Sequence, residues 1–276
     1  MIVVLAGLRF EVVPDDCLSP AERRALAALP AGPGAPGNDT FVLELSPDPP
    51  APGGDEGDED LLAPDETAAA VRWLGGRLRV GHRRLRAVLD PFARRGTLER
   101  DASVGWPVEV SLRVALAARL PLEGGLAIHA AGVALDAGGF VFFGPSGAGK
   151  STLAAAAPGP VLSDEMVAVT RRESGYALES TGFWGTLGAA VAPPDPFPLR
   201  ALVELGKAPT LRFDRLDPRT ALRRLIPCAL VPPGPPLWNA ALAVMGRLTR
   251  DVPVLRMDWC PDQPPWRALE SLPAPR

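Results

Sequence analysis

The feature that most constrains this chain is a glycine-rich loop set between an apolar strand and a helix. Residues 140–143 read Phe-Val-Phe-Phe, residues 144–151 read Gly-Pro-Ser-Gly-Ala-Gly-Lys-Ser, and residues 152–157 continue Thr-Leu-Ala-Ala-Ala-Ala. This is the GxxxxGK[ST] pattern in the strand–loop–helix setting that gives it specificity. Glycine reaches backbone angles closed to larger residues, so consecutive N–H groups can point at phosphate oxygens. The sequence therefore predicts a Walker A loop, or P-loop, in an α/β fold.

The side chains of this glycine-rich loop have distinct predicted roles. Lys150 is expected to reach the β- and γ-phosphates, and Ser151 to offer its hydroxyl to Mg²⁺. The chain has neither an LSGGQ-like sequence nor an NKxD sequence, which disfavours ABC transport ATPases and GTPases. ATP is therefore the predicted ligand. Its predicted binding residues are Gly144, Pro145, Ser146, Gly147, Ala148, Gly149, Lys150, Ser151 and Thr152.

Two acidic residues follow the loop closely. Pro158-Gly159-Pro160 ends the predicted helix, and Val-Leu-Ser-Asp-Glu-Met-Val-Ala-Val at 161–169 predicts one strand that carries Asp164 and Glu165. A carboxylate beside a P-loop can hold Mg²⁺ or accept a proton from an attacking hydroxyl. Strand alternation is expected to turn one of these two side chains away from the loop.

A histidine lies on the strand before the glycine-rich loop. His129 stands within the apolar stretch Leu-Ala-Ile-His-Ala-Ala-Gly-Val-Ala-Leu at 126–135. Taken alone, a single histidine in such a stretch is more often a core residue than a functional one.

The order of these motifs resembles HPr kinase/phosphorylase, and still more its short kinase-like relatives from biosynthetic clusters. The resemblance covers about residues 122–190 and rests on His129, the glycine-rich loop and the acidic pair. It implies that Asp164 is the general base, that His129 assists it, and that Lys150 acts on the phosphates. Ser151, Asp164 and Glu165 are the implied Mg²⁺ ligands. Glu165 departs from the second aspartate of the family, and the second family signature does not align.

The resemblance also implies a fold and a division of the chain. The fold is α/β, a P-loop core with a mixed sheet flanked by helices, as in HPr kinase and phosphoenolpyruvate carboxykinase. Residues 122–276 are predicted to form this core, and residues 1–121 an α+β part. In the latter, the patterns predict strands over 2–13 and 41–45, a helix starting near Ser19, a hairpin around Gly75-Gly76 and a helix over 106–120. The proline- and acid-rich stretch at about 46–64 predicts an exposed loop.

Composition excludes some partners. A net charge of -3 gives no electrostatic reason to expect nucleic acid. No window approaches the roughly 18 uninterrupted apolar residues of a membrane helix. The N-terminal apolar run lacks a basic flank, and the three cysteines form no CxxC pair. We expect a cytoplasmic protein with reduced thiols and no membrane contact.

The chain contains far more arginine than lysine. Of 29 basic residues only two are lysine, Lys150 and Lys207, which suggests places where a compact ammonium is needed. Lys207 could reach a phosphate or be an ordinary surface lysine. Residues 77–100 hold eight arginines, which favour a solvated face over a docking site for an acidic peptide. The turn with Trp184 could face the nucleotide or pack into the core, and the sequence favours neither.

Two functions from different classes follow. The first is an ATP- and Mg²⁺-dependent kinase that transfers the γ-phosphoryl group to a hydroxyl, on Ser or Thr of a small protein or precursor peptide, with a small-molecule hydroxyl as the other acceptor. The second is a nucleotide-binding regulatory module that recruits a partner without catalysis. The departure at Glu165 and the missing second signature motivate the second reading.

Overall fold

The chain has a mixed α/β structure that divides into two compact units. A computed structural model describes residues 1–29, 40–46, 69–188 and 195–273. The first unit comprises Met1–Arg119 with Val231–Trp238, and the second comprises Leu120–Leu230 with Asn239–Arg276. The exposed loop predicted at 46–64 lies outside the described residues except for Ser46. The return of residues 231–238 to the first unit was not anticipated from the sequence.

A seven-stranded mixed sheet forms the first unit. Its strands are β1 (Ile2–Leu5), β2 (Leu8–Val13), β3 (Phe41–Leu45), β4 (Ala70–Leu74), β5 (Arg77–His82), β6 (Leu85–Asp90) and β7 (Arg95–Arg100), in the order β1-β2-β3-β7-β6-β5-β4. Strand β3 is parallel to β2 and β7, and the other neighbours are antiparallel. Alternating burial along β6 gives the sheet one apolar face, as period-two alternation requires.

Two tight turns shape this sheet. The predicted hairpin is confirmed, because Gly75 and Gly76 adopt φ of 58° and 81° and join β4 to β5. The single strand predicted over 2–13 is wrong. Ala6 and Gly7, at φ of 49° and 75°, form a second two-residue turn between β1 and β2. The turn was not predicted because the residues on both sides of it are apolar, so the hydrophobic pattern continues across it.

The helices of the first unit start where the sequence predicts. Helix α1 (Pro20–Ala27) follows Ser19, whose hydroxyl accepts from the Glu22 N–H while the Glu22 carboxylate accepts from the Ser19 N–H. The Glu22 carboxylate also accepts from Arg100 Nε at 2.7 Å, and both side chains are at most 3% exposed. Helix α2 (Trp106–Leu122) confirms the predicted helix and continues into the second unit.

The second unit is built on an eight-stranded mixed sheet. Its strands are β8 (Leu126–Leu135), β9 (Gly138–Phe143), β10 (Val161–Ser163), β11 (Met166–Arg172), β12 (Gly175–Ser180), β13 (Phe197–Lys207), β14 (Arg212–Arg215) and β15 (Val254–Trp259). The order is β10-β8-β11-β12-β13-β15-β14, and β9 pairs with both β8 and β13. The helices are α3 (Lys150–Ala155), α4 (Pro218–Leu225), α5 (Pro235–Asp251), which begins in the first unit, and α6 (Trp266–Glu270).

Strand β9 is fully buried and sets the position of the loop that follows it. It is antiparallel to β8 and parallel to β13, and β13 is in turn parallel to β15. The carboxyl ends of β9, β13 and β15 therefore meet at one edge of the sheet, where open α/β sheets bind ligands. Helix α3 packs on an apolar face of this sheet through Leu153 and Ala154. In the described part of the chain, no helix has the length and apolar character needed to cross a bilayer.

Candidate functional site

The glycine-rich loop leaves the carboxyl end of β9 and enters α3 directly. Gly144, Gly147 and Gly149 adopt φ of 150°, 77° and 95°, values that L side chains rarely reach. A Cβ atom on Gly149 would also lie 3.1 Å from Cζ2 of Trp259, tighter than an ordinary contact. All three positions favour glycine for their backbone conformation, and Gly149 also for lack of space.

Lys150 is the buried cation of the loop. Only 7% of the residue is exposed, and its Nζ donates to the carbonyl oxygens of Gly144 at 3.0 Å and Pro145 at 3.3 Å. The ammonium group is thus held by neutral carbonyl groups of its own loop. No carboxylate of the described residues forms an ion pair with it, so its positive charge is available to an anionic ligand.

The strand predicted at 161–169 is interrupted at the two acidic residues. Strand β10 ends at Ser163 and β11 begins at Met166, so the single strand and its alternation argument are wrong. The Ser163 hydroxyl accepts from the N–H groups of Glu165 and Met166, each at 3.0 Å, and donates to the Phe183 carbonyl at 2.6 Å. These bonds stabilise the bend in the chain between β10 and β11. As a result, Asp164 and Glu165 both line the same cavity.

Asp164 is almost completely buried and holds a loop that follows β12. Its Oδ1 accepts from the Gly185 N–H at 2.8 Å, and its Oδ2 accepts from the Thr186 N–H and hydroxyl, both at 3.0 Å, and from the Leu187 N–H at 3.2 Å. Burial alone would raise the pKa of this carboxyl. The bonds from Gly185, Ser151, Leu187 and Thr186 outweigh burial, so the pKa of Asp164 lies below its ordinary value.

His129 lies beside Glu165 rather than in the core. The imidazole Nδ1 is 3.0 Å from the Glu165 carbonyl oxygen and 3.6 Å from Glu165 Oε1. Both side chains are 36% exposed, far more than that of Asp164. The backbone register accounts for the contact, because His129 on β8 pairs with Met166 at the start of β11.

One cavity of about 830 Å³ brings these groups together. The structure places all the predicted site residues in its lining except Gly144 and Pro145, which lie at the start of the loop. Among the described residues, the lining consists of His129, Ser146, Gly147, Ala148, Gly149, Lys150, Ser151, Thr152, Asp164, Glu165, Gly185, Thr186, Lys207, Ala208, Trp259, Cys260 and Pro261. The roles of these residues stay predictions, but the proximity that those roles require is present.

Several lining residues were missed from the sequence or left open there. Gly185 and Thr186 are held at the cavity by their bonds to Asp164, and Trp259 lies next to the position that a Cβ atom of residue 149 would occupy. The neighbouring aromatic turn is divided between core and surface, since Phe183 is fully buried while Trp184 is only half-buried. Trp184 is absent from the described lining of the cavity.

The oxygen donors of the cavity fit Mg²⁺. The Ser151 hydroxyl lies close enough to the Asp164 carboxylate to help lower its pKa, and both side chains line the cavity. Mg²⁺ is usually bound through one or two carboxylates together with substrate phosphates. The described residues contain no group of three or more His, Cys, Asp or Glu side chains suited to a metal, and this type of Mg²⁺ site does not need one.

The arginine-rich stretch of the first unit has ion-pair partners nearby. Arg84 pairs with Asp101 at 2.7 Å, and Arg77 approaches Asp90 to 3.4 Å. Such pairing is typical of a charged sheet face, which is the interpretation that the sequence favoured.

Comparisons with known proteins do not assign this site. No protein-family model matches the chain, and no curated protein matches it. The chemistry of the cavity is therefore the basis on which a function can be assigned.

Proposed function

We propose that the chain is an ATP- and Mg²⁺-dependent kinase with the P-loop core of the HPr kinase-like fold. The acceptor in this proposal is a hydroxyl, on Ser or Thr of a small protein or precursor peptide. The observation that carries the proposal is that Lys150, Ser151, Asp164, Glu165 and His129 line one cavity of about 830 Å³. Cavities of roughly 300–1,000 Å³ are typical of small-molecule and cofactor sites.

The glycine-rich loop would bind the phosphates of ATP. Its positive-φ glycines allow backbone N–H groups to face the phosphate oxygens, and Lys150 supplies a positive charge at the same place. Ser151 and Asp164 would hold Mg²⁺, which neutralises charge on the phosphate chain when it is bound. Catalysis of phosphoryl transfer depends mainly on positioning of the reactants and electrostatic stabilisation of the transition state, and these residues would provide both.

The transfer step needs one group that accepts a proton. The acceptor oxygen forms a bond to the γ-phosphorus, and the bond from that phosphorus to the β,γ-bridging oxygen breaks, which releases ADP. The hydroxyl proton passes to a carboxylate beside the acceptor. The phosphorylated hydroxyl and a protonated carboxyl group are then the products on the acceptor side.

The contacts favour Glu165 over Asp164 as that carboxylate. Asp164 accepts hydrogen bonds from Gly185, Thr186 and Leu187, and its lowered pKa makes it a weaker base. Glu165 is more exposed, and His129 lies near enough to orient it. The role of Asp164 as base therefore stays a prediction, and Glu165 is the alternative. Asp164 also holds the loop at 185–187 through its hydrogen bonds.

The cavity that brings the glycine-rich loop and the acidic residues together also supports a second candidate, a regulatory module that binds nucleotide without transferring phosphate. If Asp164 only anchors its loop and Glu165 lies too far from any acceptor, ATP binds and no product forms. The first unit would then recruit the partner. The two candidates agree on ATP binding and differ only in the product.

Mass spectrometry after incubation with Mg-ATP decides between them. The protein is mixed with the products of its neighbouring genes, and intact masses are searched for one phosphate added to an acceptor. A phosphate adduct that disappears in Lys150→Ala supports the kinase. ATP binding without any adduct supports the regulatory module, and absence of ATP binding refutes both.

Two matched variants test the base. We expect Glu165→Gln to lower kcat by about 10²- to 10⁴-fold, the usual contribution of general acid–base catalysis, with little change in ATP affinity. Asp164→Asn is expected to weaken Mg-ATP binding as well, because it alters a proposed metal ligand. If Asp164→Asn binds Mg-ATP normally but has a strongly reduced kcat, the base is Asp164 rather than Glu165.

A further inference from the structure

We infer that Lys207 is a second phosphate-binding cation of this cavity, on the opposite side of the glycine-rich loop from Asp164. This inference rests on the proposed nucleotide site and adds a residue to it. Lys207 is exposed, is the last residue of β13, and lines the cavity together with Lys150.

The register of the parallel strands places Lys207 alongside the loop. Phe143, the last residue of β9, pairs with Glu204 on β13. Strand β13 continues for three more residues, so Lys207 extends beyond the end of β9, at the level where the loop begins. At about 3.3 Å per residue, this extension is roughly 10 Å. A lysine side chain at that position would lie beside the phosphates of a nucleotide held by the loop.

The alternation of β13 directs Lys207 toward the loop. Val203 and Leu205 belong to the apolar cluster that packs against α3, and residues two apart share a face of a strand. Lys207 continues this series and pairs in register with Trp259, which lies so near the loop that a Cβ atom on Gly149 would be 3.1 Å from its Cζ2. The neighbouring Gly206 faces the other side, where Arg256 and Asp258 form an ion pair at 2.9 Å.

The choice of lysine supports a binding role. Both lysines of the chain line this one cavity, while no described arginine does, although arginine accounts for every other basic residue. A compact ammonium on a flexible stem can approach a phosphate chain as a point charge, whereas a planar guanidinium needs more room. A merely solvated surface cation would have no reason to differ from the arginines found elsewhere in the chain.

The ammonium of Lys207 has no competing partner in the described part of the chain. No hydrogen bond or ion pair to it is formed there, whereas Arg256, on the neighbouring strand β15 and the opposite face, is paired with Asp258 and Glu204. A cation without an acidic partner can give its full charge to an anionic ligand. The cost of leaving it unpaired is small, since it is exposed.

Calorimetric titration of the full-length protein with Mg-ATP tests the inference. We expect Lys207→Ala to weaken binding by about 10- to 100-fold, the effect of losing a hydrogen bond to a charged group. Lys207→Arg should recover only part of the loss. Arg215→Ala, which removes an exposed basic residue outside the cavity, is the matched control and should bind as the wild type does. Lys207→Gln serves as a second variant if Lys207→Ala does not fold.

The outcomes separate this inference from the proposed function. If the wild type binds Mg-ATP, Lys150→Ala does not, and Lys207→Ala binds within about twofold of the wild type, the inference is overturned and the nucleotide site stands. Equal losses in Lys207→Ala and Arg215→Ala would also overturn it, because they would reflect general charge alone. If the wild type does not bind Mg-ATP, the proposed function fails first.

Discussion

The buried carboxylate of Asp164 gives the strongest test of how the site is held together. It accepts four hydrogen bonds from Gly185, Thr186 and Leu187, three of them on one oxygen. The variant Asp164→Asn keeps the shape of the side chain but replaces one acceptor oxygen with an NH₂ donor. The best arrangement for asparagine leaves its oxygen with the three donors and turns its NH₂ group toward the Gly185 N–H.

The cost of this substitution can be worked from those contacts. One charge-assisted hydrogen bond is lost, the Gly185 N–H faces another donor, and the three remaining bonds become neutral. Hydrogen bonds to charged groups contribute about 1.5–3 kcal/mol, and an unsatisfied buried donor costs about 1–3 kcal/mol. We therefore expect the free energy of unfolding to fall by about 2.5–6 kcal/mol at neutral pH.

The loss should depend on pH in one direction. Because the folded pKa of Asp164 lies below its unfolded value, the unfolded state binds more protons in the acidic range. The stabilisation is fully present above the ordinary aspartate pKa of about 3.9 and is lost as the pH falls through the folded pKa. The difference between the wild type and Asp164→Asn should thus be constant from pH 7 to about pH 5 and shrink below about pH 4.

Urea unfolding followed by circular dichroism measures this difference. Glu165→Gln is the matched control, because it makes the same chemical change at a neighbouring residue whose side chain is 36% exposed. We expect it to change stability by less than about 1 kcal/mol, as exposed polar substitutions usually do. The reasoning is refuted if both variants lose the same free energy, or if the loss in Asp164→Asn does not change with pH.

Three further predictions concern other parts of the chain. Gly149→Ala, which combines φ of 95° with a Cβ atom 3.1 Å from Trp259, should cost about 1–2 kcal/mol of stability and weaken Mg-ATP binding, as unfolding and titration would record. Arg100→Ala leaves the buried Glu22 carboxylate unpaired and should lower the free energy of unfolding by about 3–5 kcal/mol, whereas replacing both residues with apolar ones should recover much of that loss. Burial raises the pKa of the Cys228 thiol despite opposing effects from the loop and its lysine, so we expect Cys228 to react with a disulfide reagent at pH 8 at least about tenfold more slowly than an exposed thiol.

The parts of the site that the sequence predicted are those encoded within a few consecutive residues. The glycine-rich loop was placed correctly because β9, the loop and α3 follow each other without interruption, and each has its own local signal. The start of α1 was equally local, since Ser19 and Glu22 cap each other across one helical turn. In both cases the residues that determine the conformation are also its neighbours in the chain.

The bend between β10 and β11 could not be predicted in this way. It depends on Ser163, whose hydroxyl donates to the carbonyl of Phe183, twenty residues further along the chain. The sequence on both sides of Asp164 and Glu165 is apolar and typical of one strand. The loop that Asp164 holds lies more than twenty residues away, and no local pattern marks it.

The position of Lys207 could not be predicted either, because it depends on the register between paired strands. Its position depends on the parallel pairing of β13 with β9 and β15, whose paired residues lie more than fifty positions away in the chain. The unusual choice of lysine singled it out in the sequence, but the direction of its side chain follows only from alternation along a paired strand. Composition thus identified the residue, and topology gave it a location.

Having both lysine side chains in one cavity makes the protein unusually simple to observe. Reductive methylation with ¹³C-formaldehyde would label two side-chain amines, Lys150 and Lys207, and so produce two side-chain methyl resonances. The buried environment of Lys150 and the exposed position of Lys207 should separate these signals. Any anion that enters the cavity would shift them, so two NMR peaks can report on ligand occupancy in a chain of 276 residues without isotope labelling of the whole protein.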